Sequence, residues 1–214
     1  MVRRLGLAAL AAAVLASTAV AAPGDAERRA INGRDQASAK RVNLTLDDLP
    51  YGFIEGPARQ SSPPASFTCP GFAPDLSRFT ITGEAKSRHF VRSDGTAIFS
   101  AAEIFRSVGD QRGDWALTAR REALQCLRWA LMQGVAGATS VTAAVRPAPR
   151  VGDRAVWFRA TMTVAANGFK ARVWLDLFGV ARGRGDATLA VVSVRKAPPA
   201  GLERSLLARL ASRL

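Results

Sequence analysis

The sequence is short of the residues that most often carry chemistry. Histidine occurs once, at His89, and cysteine twice, at Cys69 and Cys126, in 214 residues. Any Ser-His-Asp or Cys-His device would therefore depend on His89 alone, and no Gly-x-Ser-x-Gly elbow occurs. His89 falls in a predicted strand, opposite Ser100, where a satisfied core or surface histidine is the expected reading. No group of His, Cys, Asp and Glu has metal-ligand spacing, so no metal is expected. No cofactor is expected either: the glycines at Gly183 and Gly185 lack the third glycine of a dinucleotide loop, and a strand follows them instead of a helix. Glu103 and Asp176 could share a sheet face as a glycosidase-like carboxylate pair, although Asp176 is better explained as the partner of Arg159. A protein that is not an enzyme is expected, with a secreted hydrolase as the lesser alternative.

Long apolar runs are equally scarce. One spans residues 5–20, behind Arg3 and Arg4, and ends in the small residues Ala19 and Ala21 before Ala22 and Pro23. That is the grammar of a secretory signal peptide, 1–22, cleaved after Ala21 or Ala22. An uncleaved membrane anchor is the alternative. No cysteine follows the run to take a lipid, and the two arginines lack the rest of a twin-arginine motif. The expected location is secreted or extracellular and associated with the envelope. Export suits the cysteine count, because an even pair in an oxidising compartment is expected to bridge. A Cys69–Cys126 disulfide would close a long loop, worth roughly 4 kcal/mol. The alternative is a reactive thiol with His89 as its base.

What the chain does have is positive charge, +13 in all. Residues 22–59 are balanced, so the excess lies in Arg3, Arg4 and everything beyond residue 59. A folded domain so basic is drawn to anionic polymers or lipid headgroups. The simpler reading is a solvated basic surface, given how far arginine outnumbers lysine in this alanine-rich chain. Nucleic acid is not expected for an exported protein with no recognised motif, and membrane association is expected to be peripheral at most.

Along the chain, 23–43 is polar and mixed in charge and reads as a flexible linker. A single domain spans 44–214, opening with "LTLDDLPYGF" as a short helical or turn element, followed by the loop "GPARQSSPPAS". Asp94-Gly95 lies between two strand-like runs and predicts a two-residue hairpin turn, placing Lys86 opposite Glu103 and Phe90 opposite Phe99. Residues 113–134 have helical periodicity, with Asp114 as N-cap and Gly134 as stop. Cys126 sits at the margin of that helix's apolar arc, and Trp129 and Met132 lie on its other side. "ATSVTAAVRP" is a strand ended by Pro147.

The block "RAVWFRATMTVAANGFKARVWLDLFGVAR" is the most informative. Asn167-Gly168 signals a type I′ turn, which places Phe158 opposite Leu177, Ala160 opposite Leu175, Met162 opposite Val173 and Val164 opposite Ala171. All four pairs are apolar, as a buried sheet face requires. The other face carries Trp157 opposite Phe178, Arg159 opposite Asp176, Thr161 opposite Trp174 and Thr163 opposite Arg172. Arg184-Gly185-Asp186, an adhesion-type tripeptide by composition, falls where the chain must reverse into "ATLAVVSVRK" and is expected to be a turn. That reversal puts Thr188, Ala190, Val192 and Val194 on the buried face and Arg195 on the polar one. Trp157, Arg159, Arg172, Trp174, Asp176 and Arg195 are thus the candidate ligand-binding residues: indoles to stack on a sugar or apolar group, guanidinia to grip a carboxylate or phosphate. The alternative is that the terminal helix covers these tryptophans, since Leu202, Leu206, Leu207, Leu210 and Leu214 share one helical arc.

The expected class is α+β, mostly antiparallel, in the order ββαββββα with helices packed on the sheet. In "LTLDDLPYGF", the paired cysteines, the helix around Cys126, the block from Asp153 to Pro198 and the terminal "LLARLASRL", the chain resembles secreted sensor-like domains of actinobacterial type. These are the extracellular domain of PknH-type receptor kinases and the LpqN/PsbP-like lipoproteins. The resemblance implies an antiparallel sheet with packed helices, a ligand-binding cleft and no catalytic residues. The expected function is that of a secreted, non-catalytic binding or sensor-like domain for an anionic or amphipathic envelope component. A basic structural protein held at the envelope by charge is the alternative.

Overall fold

The structure, a computed structural model, describes residues 26–56, 69–166 and 169–214. The signal segment 1–22, most of the 56–66 loop and the Asn167-Gly168 turn lie outside the described residues. Thirteen elements follow one another: β1 (Arg28–Arg29), α1 (Gly33–Val42), β2 (Phe53–Glu55), β3 (Thr80–Lys86), β4 (Phe90–Arg92), β5 (Ala97–Phe105), α2 (Val108–Thr118), α3 (Ala123–Gly134), β6 (Ala138–Arg146), β7 (Arg154–Ala166), β8 (Phe169–Arg182), β9 (Gly185–Val194) and α4 (Ala200–Arg213). A 3-10 turn at Leu46–Asp48 falls within "LTLDDLPYGF".

The strands form one sheet in the order β1-β3-β5-β9-β8-β7-β6, with β4 pairing β5 and β2 pairing β4. Every pairing is antiparallel except β1 with β3. The class is α+β, but the order is richer than ββαββββα. The β7–β8 register is the one read from the alternation, from Arg154 opposite Ala181 to Ala166 opposite Phe169. Arg182 pairs with Gly185, leaving Gly183 and Arg184 as the turn, with Gly183 at φ +57°. A left-handed backbone there suits glycine, which has no Cβ to clash.

The first apolar face, built from Phe158, Ala160, Met162, Val164, Val173, Leu175, Ala190, Val192 and Val194, packs against Leu127 and Leu131 of α3. The second face is not simply polar. Phe178 and Val180 of β8 and Ala187, Leu189 and Val191 of β9 form another core with Leu206, Leu207, Leu210 and Ala211 of α4. A near-continuous apolar strand such as β9 is what a sheet covered on both sides requires.

Three other expectations are corrected. Residues 28–42 are not a tether: β1 adds to the sheet edge and α1 buries Asp35, Ala39 and Val42. Asn32 caps α1 by accepting the Asp35 amide proton. Only about one residue per turn of α1 is buried, and one of these is an aspartate, so its periodicity is faint. The helix read over 113–134 is two helices broken at 119–122. Ser107 caps the first by accepting the Asp110 amide proton, and Asp114 lies buried inside it. The Asp94-Gly95 hairpin has a three-residue loop, 93–95. Gly95 stands at φ +86°, its N–H donates to the Arg92 carbonyl, and the Thr96 N–H donates to the Asp94 carboxylate. This extra residue slips the register by one, so Phe90 faces Ile98, not Phe99; the break between β3 and β4 shifts it by one more, so Lys86 faces Ala101 and Glu103 faces Glu84 across β3 and β5.

Cys69 and Cys126 are joined in a disulfide that pins the segment before β3 to α3, so neither is a reactive thiol. Trp129 and Met132, on the outer side of α3, are exposed. No helix among the described residues is long and apolar enough to cross a membrane.

Candidate functional site

The six sequence-derived residues divide into two groups. Arg159 and Asp176 are opposite on β7 and β8. The Arg159 guanidinium donates to the two Asp176 oxygens at 2.6 and 2.5 Å, and the Trp157 indole N–H donates to the same carboxylate at 2.8 Å. Trp157 stacks on Phe178 at 5.1 Å between centroids, and the Arg159 guanidinium lies 5.0 Å from the Trp157 ring. Asp176 has no exposed surface. These three side chains are engaged with one another where α4 crosses the sheet.

α4 contributes Glu203, buried to 1% exposure and 3.9 Å from Arg159. Burial first, then a hydrogen bond with Asp176, pushes its carboxyl up to about 9. Glu203 therefore holds its proton at neutral pH. It went unread in the sequence although a signal exists: it precedes Leu206, Leu207 and Leu210 by three, four and seven residues, on the arc that packs inward.

The second group reaches solvent. Trp174 is half-buried, Arg172 and Arg195 are exposed, and the Arg172 guanidinium stands 5.9 Å from the Trp174 ring. Arg195 has φ +75°, and its amide N–H donates to the Arg172 carbonyl. Its guanidinium sits 5.7 Å from the Phe169 ring.

Glu103 and Asp176 are not a carboxylate pair. Glu103 faces Asp186 across β5 and β9, while Asp176 faces Val191, five positions along β9 and therefore on the other side of the sheet. His89 is buried in the break between β3 and β4, not opposite Ser100, and a Cβ on Gly56 would lie 2.1 Å from its ring. Arg184 of the Arg-Gly-Asp turn donates to both Asp35 oxygens, at 3.0 and 3.2 Å, and to the Phe105 carbonyl at 2.8 Å. Its guanidinium is thus the clamp that fastens α1 to the sheet.

Another concave surface lies at the C-terminal end of α1. Two adjoining open depressions, of about 230 and 460 Å³, share Lys40, Asn43 and Thr45. Lys86, Ser87 and Arg88 wall the first, and Arg41 and Arg213 wall the second. The floor is fixed: Asn43 donates to the Ala39 carbonyl and accepts from the Ser100 hydroxyl at 2.8 Å. Arg213 is tied to Asp48, and Arg88 to Glu55 at 3.2 Å. Among the described residues, Lys40, Arg41 and Lys86 make no ion pair. The sequence reading missed this groove because α1 was taken for a linker. No family model, curated protein or solved structure matches the chain, so any role must be argued from its own residues.

Proposed function

We propose that this chain is an exported, non-catalytic binding domain that holds an anionic component of the cell envelope in the groove at the end of α1. The observation that carries the reading is the convergence of Lys40, Arg41 and Lys86, cations without an ion-pair partner among the described residues, on one concave surface with a rigid polar floor. A ligand with phosphate or carboxylate groups would gain both charge attraction and hydrogen bonds there, while long-range attraction from the basic chain raises its local concentration. The disulfide is compatible with an oxidising location.

A second surface, Trp174 with exposed Arg172, is the rival, because an indole beside a guanidinium can stack and grip at once. One experiment separates the two. The protein lacking residues 1–22 is titrated with inorganic polyphosphate, a polyuronate and phosphatidylglycerol vesicles at low and near-physiological salt, following thermal stability and binding. A ligand of the native state raises its melting temperature. The groove reading expects a saturable shift that survives moderate salt, collapses in Lys40→Glu with Lys86→Glu, and is unchanged in Arg172→Glu. The reverse pattern moves the site to Trp174. Binding that vanishes with salt and ignores both variants overturns a defined site and leaves attachment by charge alone.

A further inference from the structure

At the opposite end of the sheet from Trp174, on its first face, α2 closes over a concentration of like charge. Glu103 and Asp186 are direct cross-strand partners on β5 and β9, half-buried and pointing to the same side. Carboxylates so placed repel at close range. Asp114 of α2 is buried to 5% exposure, with one carboxyl oxygen lacking a hydrogen-bond partner among the described residues. Glu27, just ahead of β1, adds to the negative field on Asp114, and Glu84 of β3 adds to the field on Glu103.

Positive charge in this neighbourhood is largely committed. Arg154 of β7 donates to the buried Gln111 of α2 and lies over the Trp115 ring at 5.7 Å. Arg29 of β1 pairs with Glu84, Arg106 with Asp110, and Arg184 of the β8–β9 turn with Asp35. Four carboxyls, Glu27, Glu103, Asp114 and Asp186, therefore gather around Arg154, whose guanidinium comes from the sheet beneath them.

We propose that α2, with the chain entering β1, is a proton-operated latch: shared protons seat it on the sheet, and their loss drives it off by repulsion about the break at 119–122. The geometry permits such a partial opening. The disulfide anchors α3 and not α2, and α2's share in an apolar cluster is the partly buried Leu117, beside Leu76, Phe79, Ile81 and Phe105. Burial, reinforced by neighbouring carboxylates, raises Asp114 to about 8, Asp186 to about 7 and Glu103 well above the usual carboxyl range. Glu103 and Asp186 are opposite one another, so their protons belong to the pair. Because these groups hold protons more tightly folded than unfolded, the seated state is strongest in acid and weakens as pH rises through neutrality.

Hydrogen exchange on the protein lacking residues 1–22, corrected for the pH dependence of intrinsic exchange, tests this between pH 5 and 8. The α2 amides should open at least about tenfold more readily at pH 8, with α3 and α4 unchanged, since each unit of differential proton affinity is worth a factor of ten. Glu103→Gln with Asp186→Asn should reduce that dependence, and Asp114→Asn added to them should abolish it. Fluorescence of Trp115, isolated by difference against Trp115→Phe, should report the same transition without exchange chemistry. Constant α2 protection across the range, opening of α2 only together with α3 and α4, or an unchanged profile in both sets of variants would overturn the latch.

Discussion

Arg159 grips Asp176 through two hydrogen bonds of 2.6 and 2.5 Å beneath α4, and the aspartate has no surface of its own. Deleting one member of such a pair leaves the other charge buried without compensation. Arg159→Ala should therefore cost about 3–5 kcal/mol in a denaturant titration. Trp157→Phe removes one hydrogen bond to the same carboxylate and should cost less, about 1.5–3 kcal/mol. A smaller loss for Arg159→Ala than for Trp157→Phe would mean that the guanidinium is not what neutralises Asp176.

Glu203 gives the same region a pH dependence of definite sign. Its carboxyl, raised to about 9 chiefly by burial, binds its proton more tightly folded than unfolded. The stability it contributes is complete below the ordinary carboxyl range and is lost progressively as pH rises from there to about 9. Glu203→Gln keeps the neutral shape without a proton to take up, so it should match the parent in acid, be the more stable of the two at pH 7, and flatten the decline between about pH 5 and 9. Denaturant midpoints across that range measure it. A large loss at pH 7 in Glu203→Gln would show that the folded protein uses the charged form against Arg159.

The register of β7 with β8 was legible because alternating apolar residues on both sides of Asn167-Gly168 can meet in only one way without exposing a core. The cluster of Trp157, Arg159 and Asp176 was legible for the same reason, as neighbours on one face. Its cover was legible only as an alternative, from the leucine arc of the terminal helix, because α4 reaches that face through contacts between residues distant in sequence. α1 was hidden by its composition: the helix rests on Ala39, Val42 and an ion pair between Asp35 and Arg184 of the β8–β9 turn, a partner that no local pattern announces. With α1 went the basic groove, built from its last turn. The slip at Asp94-Gly95 came from a single loop residue, which alternation alone cannot count.

The Cys69–Cys126 bridge spans 57 positions of sequence and holds the segment before β3 against α3. Reduction, or Cys69→Ser with Cys126→Ser, should cost about 2–4 kcal/mol, chiefly by enlarging the unfolded ensemble. Urea titrations with and without reductant give the figure. An unchanged midpoint would mean that the unfolded chain is already compact there.

The N-terminal layer is held by two devices whose pH dependences oppose one another. Asp35 is driven far below the usual carboxylate range, first by its hydrogen bonds from Arg184 and then by Thr82, despite its burial. A lowered folded value means stability that is present above the ordinary carboxyl range and lost as pH falls below it. The carboxyls under α2 act in the other direction, favouring the folded layer in acid and weakening it toward alkaline pH. Amide protection in β1, α1 and α2 should therefore be greatest at mildly acidic pH and decline on both sides. Arg184→Gln should remove the acid limb, leaving α1 weak at every pH, while Glu103→Gln with Asp186→Asn and Asp114→Asn removes the alkaline limb and leaves the acid one intact. Hydrogen exchange across pH 3 to 9 in the three proteins checks both limbs. If Arg184→Gln erased the alkaline limb as well, the two clusters would form one coupled network through β9, and α1 and α2 would lift together.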